Sequence, residues 1–425
     1  MKVIVVGGGW GGCAAALSAF KQGGDVSLIE RTDMLLGTGL VGGIMRNNGR
    51  FTAAEELIAM SGGEIFQVID QNLLHRNINF PGHRHASLYN VATMEPVIRN
   101  FLCDRGINIL SSVRITDVDM DGKKITSVIG KKGKEDVKLE GDVFIDATGT
   151  AGPPASCNKY GNGCAMCVLR CHSFGGRVSL TAKAGINEML AKKGDQIGAF
   201  SGSCKLHKES LSMDIQDRLN RDGVAIIHLP ASKRVKDKLS IKACQQYAIS
   251  EFEENIVLLD TGHAKLMTPF FALDALRDVP GMENARYEDP YSGGLGNSIR
   301  FMAMAPRDDA LKVEGTENLF CAGEKAGLLV GHTEAICTGT LAGYNAIKYL
   351  KKEDPLILPD SLAIGDAVKY VRDRMMNHNE LDKKITFSGS IYFDRMKEKD
   401  LYTTDVSDIQ KRVEEAGMAR IFSQP

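Results

Sequence analysis

The sequence predicts an α/β protein whose core is a parallel sheet. Residues 2–30 are arranged as an apolar strand, a glycine-rich turn, a helical pattern and a second strand that ends in an acid. Two more apolar strands, at 141–149 and 318–324, end in Ala-Thr-Gly and Ala-Gly-Glu. Short β-branched runs that alternate with helices are typical of a doubly covered parallel sheet, here of the Rossmann type.

The glycine turn carries the first indication of a ligand. Gly7, Gly9 and Gly12 are spaced as G-x-G-x-x-G directly after the strand Lys2–Val6. In this pattern Gly7 permits a tight turn, Gly9 lets backbone approach a pyrophosphate, and Gly12 lets helix and strand pack closely. The diphosphate would lie at the helix N-terminus, where free amides favour an anion. Glu30 would then accept hydrogen bonds from the adenosine ribose, so we predict a dinucleotide site.

The segment 319–346 indicates that the dinucleotide is FAD and not NAD. It has the sequence LFCAGEKAGLLVGHTEAICTGTLAGYNA. This run resembles the glutathione-reductase-like FAD superfamily, and within it the GidA (MnmG) and TrmFO flavoproteins. The resemblance implies a flavin-dependent oxidoreductase in which Glu324 holds the ribityl chain and His332 and Thr333 face the flavin pyrimidine edge. Residues 331–336 are predicted to open a helix that runs to about Tyr349. Independently of the resemblance, a helix N-terminus stabilises the negative charge of a reduced flavin by ~0.3–1 kcal/mol.

The candidate cofactor site combines these motifs with their neighbours. A second G-x-G-x-x-G at 37–42 has no preceding strand, so we interpret it as a loop whose amides approach the flavin or pyrophosphate, not as a second nucleotide site. The predicted FAD-binding residues are Gly7, Gly9, Trp10, Gly11, Gly12, Glu30, Arg31, Gly37, Val113, Ala147, Thr148, Gly149, Gly323, Glu324, His332 and Thr333.

The chain is predicted to divide into three parts. Residues 1–151 and 306–350 form a discontinuous FAD-binding domain, and 152–305 form an inserted, cysteine-rich α+β substrate domain. Residues 351–425 form a C-terminal helical segment. Within the first part, 52–75 has a helical pattern, and 107–140 alternates as a β-meander with a turn at Asp121-Gly122. The final helix is predicted to begin with a capping box at Ser407 and Gln410.

Four cysteines cluster in the predicted inserted domain. Cys157, Cys164, Cys167 and Cys171 are spaced C-x6-C-x2-C-x3-C, and the last three match the end of a ferredoxin-type run. On one continuous helix Cys164 and Cys171 would be ~10 Å apart along the axis, so metal ligation requires a wrapped loop. An iron-sulfur or zinc site, a redox-active thiol pair and buried packing cysteines all remain open.

Other candidate residues are fewer. His83, in the turn 80–85, is either a proton-transfer residue or part of a solvated turn, and Cys164 and Cys167 are the other candidate catalytic residues. Cys13 and Cys321 adjoin the glycine motifs and are interpreted as packing residues.

Composition limits the function classes. The formal net charge is −1 and aromatic residues make up 6% of the chain, which disfavours RNA as a partner without excluding uridine modification of the GidA and TrmFO type. No apolar run is long enough for a membrane span, and we expect a cytoplasmic protein. We predict an FAD-dependent oxidoreductase acting on an unidentified small molecule, with NAD(P)H or a ferredoxin-like protein as electron donor. A non-catalytic FAD-binding redox sensor is the third alternative, and a homo-oligomer remains open.

Overall fold

The computed structural model describes residues 1–150, 171–193, 196–197, 199–201, 204–234, 245–268, 271–288, 298–300, 302–377 and 380–424. Its helices, numbered along the described chain, are α1 Trp10–Lys21, α2 Gly39–Gly42, α3 Gly49–Ala59, α4 Glu64–Gln71, α5 Met94–Cys103, α6 Cys171–Phe174, α7 Leu180–Lys183, α8 Met213–Asp222, α9 Glu251–Glu254, α10 Leu273–Arg277, α11 His332–Lys351, α12 Ala363–Met376, α13 Ser390–Glu398 and α14 Val406–Glu415.

The strands are short, as is usual for an α/β protein. They are β1 Lys2–Val6, β2 Asp25–Ile29, β3 Ile44–Met45, β4 Leu73–Phe80, β5 His83–Tyr89, β6 Asn108–Leu110, β7 Arg114–Asp121, β8 Lys124–Lys132, β9 Glu135–Glu140, β10 Val143–Asp146, β11 Met189–Leu190, β12 Lys192–Lys193, β13 Gln196–Ile197, β14 Ala199–Ser201, β15 Cys204–Leu206, β16 Val224–His228, β17 Asn255–Asp260, β18 Ala264–Leu266, β19 Ser298–Arg300, β20 Ala303–Met304 and β21 Leu319–Cys321.

A five-stranded parallel sheet forms the core in the order β21-β10-β1-β2-β6. Val5 in the central strand β1 lies opposite Ile145 on one side and Leu28 on the other. The apolar residues of β1 and β10 are buried, as expected for a sheet with both faces covered. The predicted α/β Rossmann-type class is confirmed, and the strands at 141–149 and 318–324 do return to this sheet.

Helices α1 and α11 pack closely against each other beside this sheet. A Cβ atom at Gly339 would overlap the carbonyl oxygen of Gly11, and one at Gly343 would overlap that of Ala15. Glycine at both positions lets the two helix backbones approach, because no side chain separates them. The long second helix is therefore held directly against the helix that follows the glycine turn.

Two further groups of strands flank the core. The predicted meander is confirmed as the antiparallel sheet β7-β8-β9, with Gly122 in the left-handed region at the predicted turn. The sheet β3-β5-β4 packs its apolar face against the four-stranded sheet β15-β18-β17-β16, which we call the second sheet. The helical prediction for 52–75 is wrong at its end, because Leu73 already belongs to β4, where pairing with β5 outweighs the local helical pattern.

The C-terminal residues fold back onto the core as helices α12, α13 and α14, so the predicted helical region is present. The final helix is capped by Asp405, whose carboxylate accepts the amides of Ser407 and Asp408, and not by the predicted Ser407. Glu56 of α3 caps α12 in the same way, since its carboxylate accepts the amides of Ala363 and Ile364. No helix in the described part of the chain is long and apolar enough to cross a membrane.

Candidate functional site

A cleft opens along the carboxyl ends of the parallel strands, where open α/β sheets bind their ligands, and it encloses about 980 Å³ when the solvent at its mouth is included. All the predicted cofactor residues except Gly12 and Thr333 line it. The lining residues are Val6, Gly7, Gly9, Trp10, Gly11, Ile29, Glu30, Arg31, Leu36, Gly37, Thr38, Val113, Arg114, Ile115, Ala147, Thr148, Gly149, Thr150, Arg177, Val178, Ala322, Gly323, Glu324, Gly331, His332 and Ala335. One cleft thus joins motifs that lie more than 300 residues apart.

The glycines of the turn have two different roles: some allow close backbone packing, and one leaves the cleft accessible. Gly7 has φ +105°, and a Cβ there would overlap the carbonyl group of Ala147. A Cβ at Gly12 would overlap the carbonyl oxygen of Gly7, so Gly12 lies in the packed interior and not on the cleft wall. At Gly9 the nearest atom to such a Cβ is the carbonyl oxygen of Leu36 at 4.0 Å. The fold therefore requires glycine at 7 and 12, whereas at Gly9 it leaves open space beside the cleft.

One end of the cleft is centred on Glu30, which is buried. One carboxylate oxygen accepts the amide of Gly8 at 2.8 Å, and the other accepts the amide of Thr32 at 2.8 Å. Two arginines form the adjoining wall: Arg31 donates to the carbonyl of Gly175 at 2.7 Å, and Arg114 donates to that of Gly176 at 3.0 Å. Arg114 was missed because the sequence shows it only as one charge at the start of a strand.

A buried charge network supports the middle of the cleft. Asp146, the last residue of β10, accepts hydrogen bonds from Thr148 at 2.7 Å and from the amide of Thr181 at 2.8 Å. Burial would raise the pKa of Asp146, but the positive charge of Lys325 and these hydrogen bonds hold it below its usual value. Lys325 itself is fully buried and paired with Glu188, and burial lowers its pKa to about 7.

The residues next to this network reach the cleft. Thr150 donates to a carboxylate oxygen of Glu324 at 2.5 Å. Arg177 and Val178, which follow the cysteine-rich segment, line the same stretch of wall. Sequence reasoning missed Thr150 and Lys325; the only signal for Lys325 was a cation inside an otherwise apolar and small-residue run.

The other end of the cleft is formed where α11 begins. Gly331, with φ +150°, and His332 line the wall. A Cβ at Gly42 would overlap the imidazole of His332, so the turn 37–43 lies directly on that ring. Trp10 packs edge-on against Tyr89 with 5.9 Å between ring centroids, and the Tyr89 hydroxyl donates to the carbonyl of Gly39 at 2.7 Å. Thr333 is buried away from the cleft, with its hydroxyl 3.9 Å from the sulfur of Met45.

A buried ion pair fixes this helix start. The Arg50 guanidinium Nε lies 3.0 and 3.1 Å from the two carboxylate oxygens of Glu334, and both side chains are buried. Glu334 also accepts from Thr386 at 2.6 Å and from the amide of Phe387 at 3.0 Å. The C-terminal region is therefore joined to the first turn of α11. Arg50 was not predicted, because nothing in its local sequence distinguishes it from a surface arginine.

Of the predicted catalytic residues, the structure describes only His83. His83 is the first residue of β5 and is buried, with Nδ1 2.9 Å from the Asn47 side-chain amide and Nε2 3.0 Å from the carbonyl of Gln246. The alternative of a solvated turn is therefore wrong for His83, and its role in proton transfer stays a prediction. Cys157, Cys164 and Cys167 lie outside the described residues, and only the backbone of Cys171, at the start of α6, is described.

Two other cysteines fit the packing interpretation. Cys13 and Cys321 are fully buried beside the glycine motifs. Burial raises the pKa of Cys13 to about 12 and that of Cys321 well above its usual value, so both remain thiols. Within the described ranges, no group of three His, Cys, Asp or Glu side chains is placed to hold a metal ion.

Comparison with known families agrees with the cleft. Residues 2–152 match the family described as FAD dependent oxidoreductase, and residues 261–354 match the family described as glucose inhibited division protein A. The chain is 32% identical over 101 residues to the methylenetetrahydrofolate–tRNA-(uracil-5-)-methyltransferase TrmFO of Bacillus cytotoxicus. That alignment spans 23% of this chain and 22% of the TrmFO chain.

Solved structures share the fold. GidA of Aquifex aeolicus superimposes with a TM-score of 0.62 at 13% identity, covering 97% of this chain and 76% of that chain. A geranylgeranyl bacteriochlorophyll reductase-like protein of Thermoplasma acidophilum gives a TM-score of 0.50 at 12% identity, covering 98% of each chain. The fold and the cleft therefore agree with the match of residues 2–152 to the FAD-dependent oxidoreductases. The sequence similarity to GidA and TrmFO covers less than half of the chain.

Proposed function

We propose that the cleft holds FAD in an extended pose and that the enzyme transfers a hydride or an electron pair between this flavin and a small-molecule substrate held against residues 152–305. In this pose the adenosine lies beside Glu30 and the isoalloxazine beside Gly331 and His332. The observation that carries the proposal is the single cleft in which the three separate FAD motifs meet.

The residues present fit the cofactor. Gly9 leaves open backbone where a pyrophosphate must approach, and this backbone leads into the N-terminus of α1, which favours an anion. Three lining arginines, Arg31, Arg114 and Arg177, add positive charge along the path of the diphosphate. Glu30 would accept hydrogen bonds from the ribose hydroxyls. These features match the charge and shape of FAD from one end to the other.

At the flavin end the chain supplies orientation and electrostatics. FAD, when bound, supplies the redox chemistry. The N-terminus of the 20-residue helix α11 points its free amides at the wall where the pyrimidine edge would lie, and this favours negative charge there. The Arg50–Glu334 pair holds the first turn of that helix in place.

We further propose that the cysteines at 157, 164, 167 and 171 form a second redox centre, either an iron-sulfur cluster or a dithiol. The support is their spacing and the course of the chain after them, since Arg177 and Val178 line the cleft only six or seven residues beyond Cys171. An iron-sulfur centre would favour a ferredoxin-like electron donor, whereas a dithiol would favour NAD(P)H.

The test is an anaerobic purification followed by an absorption spectrum with iron and sulfide assays. Flavin bands are expected, and protein that carries no flavin and does not rebind FAD would contradict the proposal. Flavin bands with a broad shoulder near ~400 nm and stoichiometric iron identify the iron-sulfur alternative. Flavin bands without iron leave the dithiol, which thiol titration of the oxidised and reduced enzyme then counts.

A flavin-dependent RNA modification is the second candidate. The similarity to TrmFO, whose name describes a tRNA uracil methyltransferase, favours it. The nearly neutral charge of the chain does not. We expect no retardation of tRNA at low salt; retardation that weakens steeply as salt rises would support this candidate instead.

A further inference from the structure

Two lysines of the second sheet face each other across neighbouring strands. Lys205 in β15 and Lys265 in β18 are register partners in an antiparallel pair, so their side chains leave the same face of the sheet. Like charges in this arrangement repel each other. Lys265 is also buried, at 5% exposure, and a buried ammonium group is costly without good hydrogen bonds. The pair therefore needs a strong compensating contact.

One such contact is made to the turn on the cleft wall. The Lys265 ammonium lies 2.7 Å from the carbonyl oxygens of both Val41 and Gly42, and the Lys205 ammonium lies 3.0 Å from that of Leu40. These three consecutive carbonyls belong to the one-turn helix α2, where the last carbonyls lack intrahelical partners. Two cations from a distant part of the sequence supply the missing donors.

The held turn is in contact with the flavin end of the cleft. Gly42 lies against the imidazole of His332 with no room for a side chain. Gly37 and Thr38, at the start of the same turn, line the cleft wall. On its other side Gly43 packs against Thr261, in the loop between β17 and β18 of the second sheet. The turn is thus clamped between His332 and the second sheet.

We propose that Lys205 and Lys265 are positioning residues for the flavin, through which the second sheet holds the turn 37–43 against His332. This inference rests on the proposed function, because it requires the isoalloxazine at this end of the cleft. The two ammonium groups also bring positive charge to the flavin end, which favours the reduced, negatively charged flavin. Their removal should change the environment of the flavin more than the binding of the adenosine half.

The test compares Lys265→Met and Lys205→Met with wild type as full-length, FAD-loaded protein. The measurements are visible circular dichroism of the bound flavin, its midpoint potential and the FAD dissociation constant. We expect Lys265→Met to change the flavin dichroism, lower the midpoint potential and raise the dissociation constant roughly tenfold, as for the loss of one charged hydrogen bond. Lys205→Met, which removes one carbonyl contact, should show the same changes to a smaller extent.

Two further variants make the result specific. Lys265→Arg keeps the charge and should restore most of the midpoint potential. Lys369→Met removes an exposed lysine paired with Asp360 and should leave every flavin signal unchanged. If Lys265→Met does not fold, Lys205→Met and Lys265→Arg decide the question by the same three measurements.

The opposing outcomes are distinct. If the variants melt at a lower temperature but their flavin dichroism and midpoint potential equal those of wild type, the lysines only stabilise the fold and the inference is overturned. If wild type itself binds no FAD, the proposed function fails, and the inference fails with it.

Discussion

The two ends of the cleft are built by different means. The adenosine end draws Gly7, Gly9 and Glu30 from one contiguous unit of thirty residues, and the Glu30 carboxylate accepts amides of that unit and its neighbour Thr32. The flavin end joins the turn 37–43 and the start of α11 with side chains from three other regions, among them Arg50 and Lys265. The comparison teaches that binding of the nucleotide half depends on a local motif, whereas the flavin environment depends on long-range packing.

The largest expected effect concerns the adenosine end, where it distinguishes a glycine needed for backbone packing from a glycine that gives the cofactor access. Gly12→Ala should prevent formation of FAD-loaded protein, because its Cβ would overlap a backbone carbonyl that has no room to move. Gly9→Ala has open space in the protein, so it should fold normally and lose at least roughly tenfold in FAD affinity. Thermal melts of the apoprotein and FAD titrations check both. Equal behaviour of the two variants would contradict the division of roles.

The next prediction tests the flavin end of the cleft, which is held by long-range contacts. Arg50→Met leaves the buried carboxylate of Glu334 without its partner, and loss of one member of a buried pair costs about 3–5 kcal/mol. Urea unfolding should show this loss, and the double variant Arg50→Met/Glu334→Leu should recover part of it. The exposed pair Lys369–Asp360 is the control, and Lys369→Met should hardly change the unfolding midpoint. A result for Arg50→Met that resembles this control would show that the pair does not hold α11.

A third prediction concerns pH at the helix that carries Arg50. Burial raises the pKa of Glu56 from 4.5 to about 7, against the opposing amides of Ala363 and Ile364. A carboxyl group with a raised folded-state pKa contributes stability that is complete below about pH 4.5 and is lost as the pH rises through about 7. The free energy of unfolding of wild type should therefore fall relative to Glu56→Gln by up to about 3 kcal/mol over this range. If the free energy of unfolding of the two proteins changes with pH in the same way, the prediction is wrong.

The smallest expected effect belongs to a single side chain at the adenosine end. Glu30→Gln keeps the shape of the side chain but loses its charge, so FAD affinity should fall roughly tenfold while the flavin dichroism stays the same. Isothermal titration and the visible spectrum of the saturated variant measure the two quantities. A changed flavin spectrum at saturation would mean that the two ends of the cleft are not independent.

Prediction from sequence succeeded where a short segment carries its own geometry. The strand, turn and helix at 2–21 were anticipated because Gly7 has a positive φ and Gly12 leaves room for the carbonyl oxygen of Gly7 within that unit. Helix α11 was anticipated from its own pattern, and the meander from its alternation and the turn at Gly122. The start of β4 at Leu73 was missed, because the preference of those residues was overruled by pairing with β5.

The candidate site was predicted only in part. Its backbone positions were found, but Arg114 and Lys325 were not, since the partner of a charged residue is known only after the chain has folded. Lys265 is typical: in the sequence it is one cation among many, and in the structure it is buried against two carbonyls of a turn more than 220 residues away.

The sequence by itself determined the class of fold, the order of the motifs and the positions where backbone meets the dinucleotide, because glycine spacing and apolar periodicity are local properties of the chain. Only the tertiary structure decided which charges are buried and what they hold, including Arg50 on Glu334 and Lys205 and Lys265 on the turn 37–43. Such pairs are stable only when packing excludes water around both partners, and that exclusion is a property of the assembled fold.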